Sequence, residues 1–281
     1  MLIDKPAGWT SHDVVAVVRR QLGTREVGHA GTLDPFATGL LVVLVGRATR
    51  LARFVEALVK RYRAVVRFGI GTDTDDPTGT VTSEARPDVW PDRDAWQRLA
   101  SEFVGRQAQR PPAFSAKHVA GTRAHRLARQ GQAVELPDVT VDVHAIDLLE
   151  WSPPDLLLEA TVGRGTYLRA MARDLGGRAG IPAHCAALRR VAIGPFLVDE
   201  AVAPLDVTAG HVMPAAQMVP GLMTERVDDA AVREIGFGRR VVQQREYQGT
   251  GALLAKDGRL LAAAEGRDGW WHPVVVFEPA P

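Results

Sequence analysis

The sequence of 281 residues has little of what defines several common protein classes. Its single cysteine, Cys185, excludes an internal disulfide, a cysteine-rich zinc site and a C-x-x-C redox pair. No run of about 18 apolar residues is present, so we predict no membrane-spanning helix and no membrane partner. The amino-terminal residues show no cationic segment followed by an apolar run, so we predict no secretory signal and a cytoplasmic protein.

The motifs of several enzyme classes are also missing. The sequence contains neither a Walker-type phosphate loop nor the paired H-x-E and P-C-x-x-C motifs of zinc deaminases. Segments 69–71 and 163–165 begin as G-x-G but do not continue to the dinucleotide motif G-x-G-x-x-G. A Ser–His–Asp triad stays open, although the G-x-S-x-G turn that often carries its serine is missing.

Charge is nearly balanced overall but unevenly distributed, with 34 basic and 33 acidic residues. Segments 47–67 and 105–131 contain seven and six Lys or Arg residues against one acid and none, and segment 164–190 has six Arg against one Asp. Segment 72–94 is acidic, with seven acids against two Arg. Such blocks are typical either of solvated helix faces or of a basic face of the molecule.

The residue patterns predict helices and strands in mixed order. Apolar spacing and caps predict helices from an N-cap at Ser11 to Gly23 and over 48–59, 92–103, 122–130, 167–176 and 228–235. Alternating or continuous apolar runs predict strands over 39–46, 62–68, 139–149 and 156–162, and segment 69–79 reads as a turn-rich acidic loop. Because no regular βαβ rhythm appears, we predict an α+β fold with a mixed or antiparallel sheet.

The last part of the chain has a different pattern. After residue 224 short strands follow one another closely, around 240–244, 251–255, 260–264 and 270–277, with glycines between them. We therefore predict two domains, residues 1–223 and a small β-rich domain of residues 224–281.

The segment 28–39, GHAGTLDPFATG, is the densest in residues able to do chemistry. Asp34 precedes Pro35 and is thereby kept out of the helical region, so its carboxylate lies on a loop beside a buried strand, where functional groups are often found. The local pattern alone favours the alternative, in which Asp34 caps a single helical turn that starts at Pro35. His29 by itself is more typical of a structural hydrogen bond than of a catalytic group.

Two further segments combine arginine with tyrosine. In 163–169, GRGTYLR, Arg169 is placed at a helix start, either to pair with a buried carboxylate or to face solvent. In 60–63, KRYR, Tyr62 lies among cations, an arrangement that suits stacking on a base beside phosphates. An edge-strand tyrosine with solvated neighbours is the alternative.

Taken together, the motifs resemble the bacterial tRNA pseudouridine-55 synthases of the TruB family. The resemblance runs from residue 2 to about 191, and the loop motif GHAGTLDPFATGLL is its most specific element. The segments that carry it are 2–15, 28–41, 60–79, 111–131, 163–176 and 187–196. The tail is similar, more weakly, to a PUA-type RNA-binding domain, so the fold implied is a pseudouridine synthase catalytic domain with a small PUA-like domain after it.

The resemblance implies a role for each candidate residue. Asp34 takes the position of the nucleophilic aspartate and Arg169 that of the arginine paired with it. Tyr62 takes the position of the tyrosine that stacks on the target base, and Tyr167 and Leu188 those of two other pocket residues. His29 takes the position of the histidine that interacts with the RNA loop. His125 is a departure, since the family often has tyrosine there.

The implied reaction isomerises uridine 55 of the tRNA T-loop to pseudouridine after the base is flipped out of the loop. The reaction involves no redox change and no net hydrolysis, so no cofactor and no metal are expected. We expect the T-stem-loop of tRNA as the partner, no guide RNA, and a monomer. Three alternatives stay open: a non-catalytic RNA-binding protein, a relative that works in a guide-RNA complex, and a hydrolytic N-glycosidase.

Overall fold

The computed structural model describes residues 1–114, 118–119, 122–123 and 136–277, with the backbone only at 118–119 and 122–123. Within these ranges the α-helices are α1 (Ser11–Leu22), α2 (Ala52–Ala57), α3 (Arg93–Ser101), α4 (Leu168–Ala179) and α5 (Asp229–Gly236). Several short 3-10 helices accompany them, the longest over Gly46–Leu51.

The strands of the first part of the chain are β1 (Leu2–Lys5), β2 (Val27–Ala30), β3 (Thr38–Val45), β4 (Lys60–Phe68), β5 (Ile70–Thr72), β6 (Val81–Glu84), β7 (Gly105–Gln109), β8 (His118–Val119), β9 (Thr122–Arg123), β10 (Val139–Ser152), β11 (Asp155–Val162), β12 (Ala183–Ile193) and β13 (Phe196–Leu197). Those of the last part are β14 (Met223–Arg226), β15 (Val241–Val242), β16 (Gly249–Leu254), β17 (Leu260–Arg267) and β18 (Trp270–Val276).

A nine-stranded sheet forms the centre of the described structure. Its strands run in the order β1-β3-β12-β4-β11-β10-β7, with β2 added to β3 and β13 to β12. The β12–β3 pair is parallel and its other pairs are antiparallel. A second, five-stranded sheet has the order β14-β16-β17-β18-β15. The predicted α+β class, with a mixed sheet and a β-rich carboxyl-terminal part, is confirmed; the boundary after residue 223 stays a prediction.

Strand β3 shows why a glycine-bounded apolar run becomes the middle of this sheet. Leu40, Val42 and Leu44 enter one core cluster, while Leu41 and Val43 enter another on the opposite face. Both faces of the strand are therefore buried, which explains a continuous rather than an alternating apolar pattern. Strand β4 alternates buried and more exposed residues, as its sequence predicted.

Three core clusters attach the helices to the sheet. Helix α1 packs on β1, β2 and β3, and helices α3 and α4 pack on β4, β10, β11 and β12. The third cluster joins the two sheets, because Ala252, Leu260 and Phe277 share it with Leu2 and Val42. The β-rich part is thus seated directly against the large sheet.

Some local predictions were wrong. The N-cap of α1 is Thr10 rather than Ser11, since Thr10 and Asp13 form a reciprocal capping box. The helix predicted over 48–59 is a 3-10 helix over Gly46–Leu51 followed by the short α2. The acidic loop 69–79 contains strand β5. In the helix predicted over 122–130, residues 122–123 belong to a strand, and the remainder, with His125, lies outside the described residues.

Strand β12 was not predicted at all, although it is an interior strand of the large sheet. Over the parts of the chain that the structure describes, no helix is both long enough and apolar enough to cross a bilayer.

Candidate active site

The loop that carries Asp34 connects β2 to β3. Its backbone bends at residues 34–37, where the amide of Ala37 donates to the carbonyl of Asp34 at 3.1 Å. This bend is not a helical turn, so Asp34 does not act as a helix cap. The Asp34 side chain keeps 35% of its surface exposed, and this surface lines a cavity.

The amino-terminal segment holds this loop from one side. The hydroxyl of Ser11 accepts from the amide of Leu33 at 3.0 Å and donates to its carbonyl at 3.3 Å. The carbonyl of Pro35 accepts from the amide of Gly8 at 2.8 Å and from Lys5 Nζ at 3.3 Å. Burial lowers the pKa of Lys5 to about 8, and the negative charge of Asp34 opposes this shift.

Arg190 on β12 holds the loop from the other side. Its buried guanidinium donates to the carbonyls of Leu40 at 2.7 Å, Gly31 at 3.0 Å and Thr32 at 3.4 Å. Strand β3 starts beside the Arg190 backbone, where Gly39 has φ of +101° and an added Cβ would lie 2.3 Å from the Arg190 carbonyl oxygen. Only glycine fits at this close approach of the two strands without distortion.

The sequence-predicted pair of Asp34 and Arg169 is formed. Arg169 Nε lies 3.0 Å from Asp34 Oδ2, and Nη2 donates to Oδ1 at 3.2 Å. Arg169 extends from the first turn of α4 and is buried, with 4% of its side chain exposed. The alternative of a solvent-facing arginine is therefore excluded.

Arg169 also binds the part of the acidic loop that follows β5, residues 73–79. Its Nη1 donates to the carbonyl of Thr74 at 2.8 Å and to Asp76 Oδ2 at 3.2 Å. Asp76 Oδ1 accepts from the Thr74 hydroxyl at 2.8 Å and from the hydroxyl and amide of Thr78 at 2.6 and 2.9 Å. One guanidinium is thus shared between two carboxylates, and its charge neutralises only one of them.

This sharing determines the electrostatics of Asp34. Burial raises the pKa of the Asp34 carboxyl above its ordinary value, the guanidinium of Arg169 opposes the rise, and the negative charge of Asp76 adds to it. The pair therefore presents an oriented but weakly neutralised carboxylate to the cavity.

The cavity in front of Asp34 measures about 420 Å³. Strand β4 supplies Tyr62 and strand β12 supplies Leu188 and Arg190, with Tyr62 and Arg190 directly opposite in the register. The Arg190 guanidinium lies 6.0 Å from the centroid of the Tyr62 ring. Asp34, Arg169, Tyr62, Tyr167 and Leu188 all line this one cavity, together with Glu56, Lys60, Arg164 and the glycine-rich segments around them.

Tyr167 precedes α4 and is held by a side chain that sequence reasoning missed. Gln109 at the end of β7 accepts from the Tyr167 amide at 2.9 Å and donates to its carbonyl at 3.0 Å. Gln109 is buried, whereas an isolated glutamine at the end of a strand gives no signal in the sequence. Asp76 was missed for another reason: its segment, TDTDDPTG, has the composition of an ordinary turn.

His29 is the predicted site residue that does not line the cavity. It lies on β2, opposite Val43 of β3, and its ring is 5.6 Å from that of His12 in an edge-on arrangement. Burial, together with His12 and Arg190, lowers the pKa of His29 to about 4, so its ring is neutral at physiological pH.

No group of three or more His, Cys, Asp or Glu side chains in the described ranges is arranged to hold a metal ion.

Solved structures with a similar fold identify related proteins. A chain in the crystal structure of a Cbf5-Nop10-Gar1 complex is similar with a TM-score of 0.74 and 25% identity, over 99% of this chain and 85% of that one. A chain in the archaeal box H/ACA sRNP Nop10-Cbf5 complex gives a TM-score of 0.72 and 24% identity, over 99% and 86%.

Sequence relatives cover nearly the same length. The tRNA pseudouridine synthase B of Thermobifida fusca (strain YX) is 44% identical over 99% of this chain and 97% of that protein. The tRNA pseudouridine synthase B of Gloeobacter violaceus (strain ATCC 29082 / PCC 7421) is 46% identical over 74% and 72%.

The fold, the site and these relatives define the class of protein: an isomerase that forms pseudouridine in RNA. The model described as TruB family pseudouridylate synthase (N terminal domain) matches residues 19–168, and the chain belongs to this family. The family resemblance predicted from the motifs is confirmed, as is the tRNA pseudouridine synthase activity that it implied.

Proposed function

We propose that this chain isomerises uridine 55 in the T-loop of tRNA to pseudouridine, with Asp34 as the nucleophile. The observation that carries the proposal is the ion pair between Asp34 and the buried Arg169, at 3.0 Å, at the wall of a cavity. The family membership and the tRNA pseudouridine synthase B relatives support tRNA as the substrate.

The chemistry needs one ionised and positioned carboxylate. The N1–C1′ bond of the uridine breaks, the uracil turns, and a C5–C1′ bond forms; C5 loses a proton and N1 gains one, so atoms and charge balance. Attack at C1′, attack at C6 and a glycal route all start from an ionised aspartate. Arg169 keeps Asp34 ionised and aimed at the base by a charge-assisted hydrogen bond.

The remaining cavity residues hold the flipped base. Tyr62 offers its ring face to the uracil, so the detached base can rotate without leaving. Leu188 and Tyr167 complete an enclosure that limits access of water to the sugar intermediate. Extruding a base costs on the order of a few kcal/mol, which contacts to the vacated position must offset.

His29 is proposed to make such a contact with the T-loop. It lies on β2, directly before the loop that carries Asp34, and its partner His12 is exposed. A neutral ring suits stacking or hydrogen bonding with an unpaired base better than it suits binding a phosphate.

The proposal extends to how the enzyme works as a unit. Residues 1–223 form the catalytic domain and residues 224–281 a PUA-like RNA-binding domain, acting as a monomer, without a guide RNA, in the cytoplasm where tRNA is matured. The basic segments 47–67 and 105–131 supply phosphate contacts, the second only partly within the described residues.

The test is release of tritium from C5 of uridine in a T-stem-loop transcript, since that hydrogen is lost when C5 bonds to C1′. We expect release from the transcript with no other RNA added, and no release when cytidine replaces uridine 55. Release of free uracil, or a product at another position only, would contradict the proposal.

A further inference from the structure

Two arginines on one face of helix α4 reach the acidic loop side by side. Arg169 and Arg173 are separated by one helical turn, the spacing at which helix side chains are neighbours. Arg173 Nη1 lies 2.9 Å from Asp75 Oδ2, while Arg169 Nη1 binds Thr74 and Asp76. Consecutive residues of the loop are therefore fixed by consecutive turns of the helix.

The same two arginines also bind a second segment, residues 110–114. Arg173 Nη2 donates to the carbonyl of Arg110 at 2.9 Å, and Arg169 Nη2 donates to the carbonyl of Phe114 at 3.0 Å. Each guanidinium thus bridges the acidic loop and this segment, and the two bridges run in parallel. Arg173 and Asp75 lie outside the cavity lining that contains Arg169.

Asp75 has an unfavourable backbone conformation that contacts with the sheet and with helix α4 maintain. Asp75 has φ of +59°, a left-handed conformation that is unfavourable for a residue with a side chain, and it is buried. Its carbonyl accepts from the amide of Cys185 on β12 at 3.0 Å, and its carboxylate faces Arg173. The loop therefore has one attachment to the sheet and one to the helix at the same residue.

We infer that Asp75 and Arg173 form a positioning pair for catalysis: they fix the acidic loop so that Asp76 holds Arg169, and Arg169 in turn aims Asp34. This inference rests on the proposed function of Asp34. Neither residue lines the cavity or touches the reacting atoms, so we expect the pair to act on the rate of the chemical step.

The charges around Asp75 give the pair a pH signature. Burial raises the pKa of the Asp75 carboxyl to about 6; Arg173 and Arg169 oppose the rise, and Asp174 adds to it. The nearby titratable residues are Asp76 in the same loop and Cys185, whose amide donates to the Asp75 carbonyl; burial raises the pKa of the Cys185 thiol. Below about pH 6 Asp75 becomes neutral and its attraction for Arg173 is lost.

The first experiment compares single-turnover rates of pseudouridine formation at pH 8. Asp75→Asn and Arg173→Gln are each expected to slow the step about ten-fold, because small displacements of a catalytic group are costly, with unchanged Kd for RNA. Arg173→Lys, which keeps one ion pair, is expected to retain more activity than Arg173→Gln. The double variant is expected to be no slower than Arg173→Gln, since both single substitutions remove the same ion pair between Asp75 and Arg173.

Arg178→Gln is the matched control. Arg178 lies on the same helix and forms an ion pair of the same kind, but with Glu102 beyond α3 and not with the acidic loop. Its replacement is expected to leave the rate unchanged at every pH.

The decisive readout is the ratio of the wild-type rate to the Asp75→Asn rate between pH 5.5 and 8.5. We expect a ratio of about ten at pH 8 that falls toward one below pH 6, because a protonated aspartate and an asparagine are equivalent at position 75. The titration of Asp34 affects both rates in the same way and therefore cancels in the ratio. A ratio that is independent of pH, or equal rates at pH 8, would overturn the positioning role. Inactive wild-type enzyme would instead contradict the proposed function.

Discussion

Arg169 binds two carboxylates with one positive charge, and this imbalance sets the behaviour of Asp34. A buried ion pair with good hydrogen bonding roughly offsets the desolvation of its charges, but a second carboxylate beside it is only partly compensated. Asp76 also accepts hydrogen bonds from Thr74 and Thr78, whereas Asp34 faces the cavity. The uncompensated charge therefore resides mainly on the reactive group.

The first prediction concerns pH. Because burial raises the pKa of Asp34 and the reaction needs its ionised form, the single-turnover rate of Asp75→Asn, in which residue 75 no longer titrates, is expected to fall with decreasing pH at pH values above about 3.9, the ordinary pKa of aspartate. Asp155→Asn, which removes an exposed ion pair with Arg67 outside the cavity, should leave this acid limb in place. A rate that is flat down to pH 4 would contradict the raised pKa.

The second prediction concerns stability at the same two aspartates. At pH 7.5 Asp34→Asn is expected to unfold at a denaturant concentration equal to or above that of the wild type, because it removes a desolvated charge while Asp76 still pairs with Arg169. Asp76→Asn is expected to lower the free energy of unfolding by about 2 kcal/mol, since buried hydrogen bonds to a charged group are lost.

The pH dependence of this difference follows from linkage. A carboxyl whose pKa is raised in the folded state contributes stability at low pH, and this contribution is lost as pH rises through the raised pKa. Any advantage of Asp34→Asn over the wild type should therefore disappear below about pH 4, where the carboxyl is protonated in both states. Urea unfolding at several pH values measures this; a stability loss in Asp34→Asn would contradict it.

At the scale of single residues, the sequence predicted the pair of Asp34 and Arg169 but not the side chains that hold the site in place. The placement of Asp34, Arg169, Tyr62, Tyr167 and Leu188 around one cavity follows from motifs that the family resemblance linked. Asp76 and Gln109 could not be found in that way, because their roles come from partners distant in sequence.

Strand β12 is the element on which the site depends most and which the sequence concealed. It supplies Leu188 and Arg190, and its pairing with β4 is interrupted by irregularities at 185–187 and 190–192 that break the alternation expected of a strand. The adjacent Arg189 and Arg190 make the segment look like an exposed one. Arg190 is nevertheless buried, and carbonyls of the Asp34 loop and the start of β3 accept its hydrogen bonds. By contrast, β3 and β4 followed their apolar patterns closely.

The third prediction tests the close approach of β3 and β12 at Gly39 and Arg190. Gly39→Ala is expected to lower the free energy of unfolding by about 3 kcal/mol and to reduce activity, because the new Cβ would lie 2.3 Å from the Arg190 carbonyl at a positive φ. Gly177→Ala in helix α4, where an added Cβ meets nothing within 4 Å, should be neutral or stabilising. Equal effects of the two substitutions in urea unfolding would refute this account of the close approach.

On the scale of the whole molecule, the two sheets share a hydrophobic core and hydrogen bonds. Arg47 Nη1 donates to the carbonyl of Phe277 at 2.6 Å, and both sheets contribute apolar residues to one cluster. The closely spaced short strands predicted after residue 224 indicated a second, β-rich unit, but nothing in the sequence indicated which residues would join it to the large sheet.

The fourth prediction concerns RNA binding at the cavity, which Arg164 lines. The logarithm of the binding constant for a T-stem-loop is expected to fall linearly with the logarithm of the salt concentration. Arg164→Gln at the cavity is expected to reduce the magnitude of this slope by about 0.7 to 0.9, which corresponds to the loss of one phosphate contact. Arg98→Gln, on the exposed side of α3, should leave the slope unchanged. Filter binding over a range of salt concentrations decides, and equal slopes for the two variants would contradict the assignment of Arg164.

The central claim is that a single carboxylate, aimed by a buried guanidinium, carries out the isomerisation. It is tested most directly by single-turnover conversion of uridine 55 in a T-stem-loop by Asp34→Asn beside the wild type, with Kd for the same RNA measured in parallel. We predict no detectable pseudouridine from the variant at a Kd close to that of the wild type. Conversion by Asp34→Asn at the wild-type rate would contradict the account.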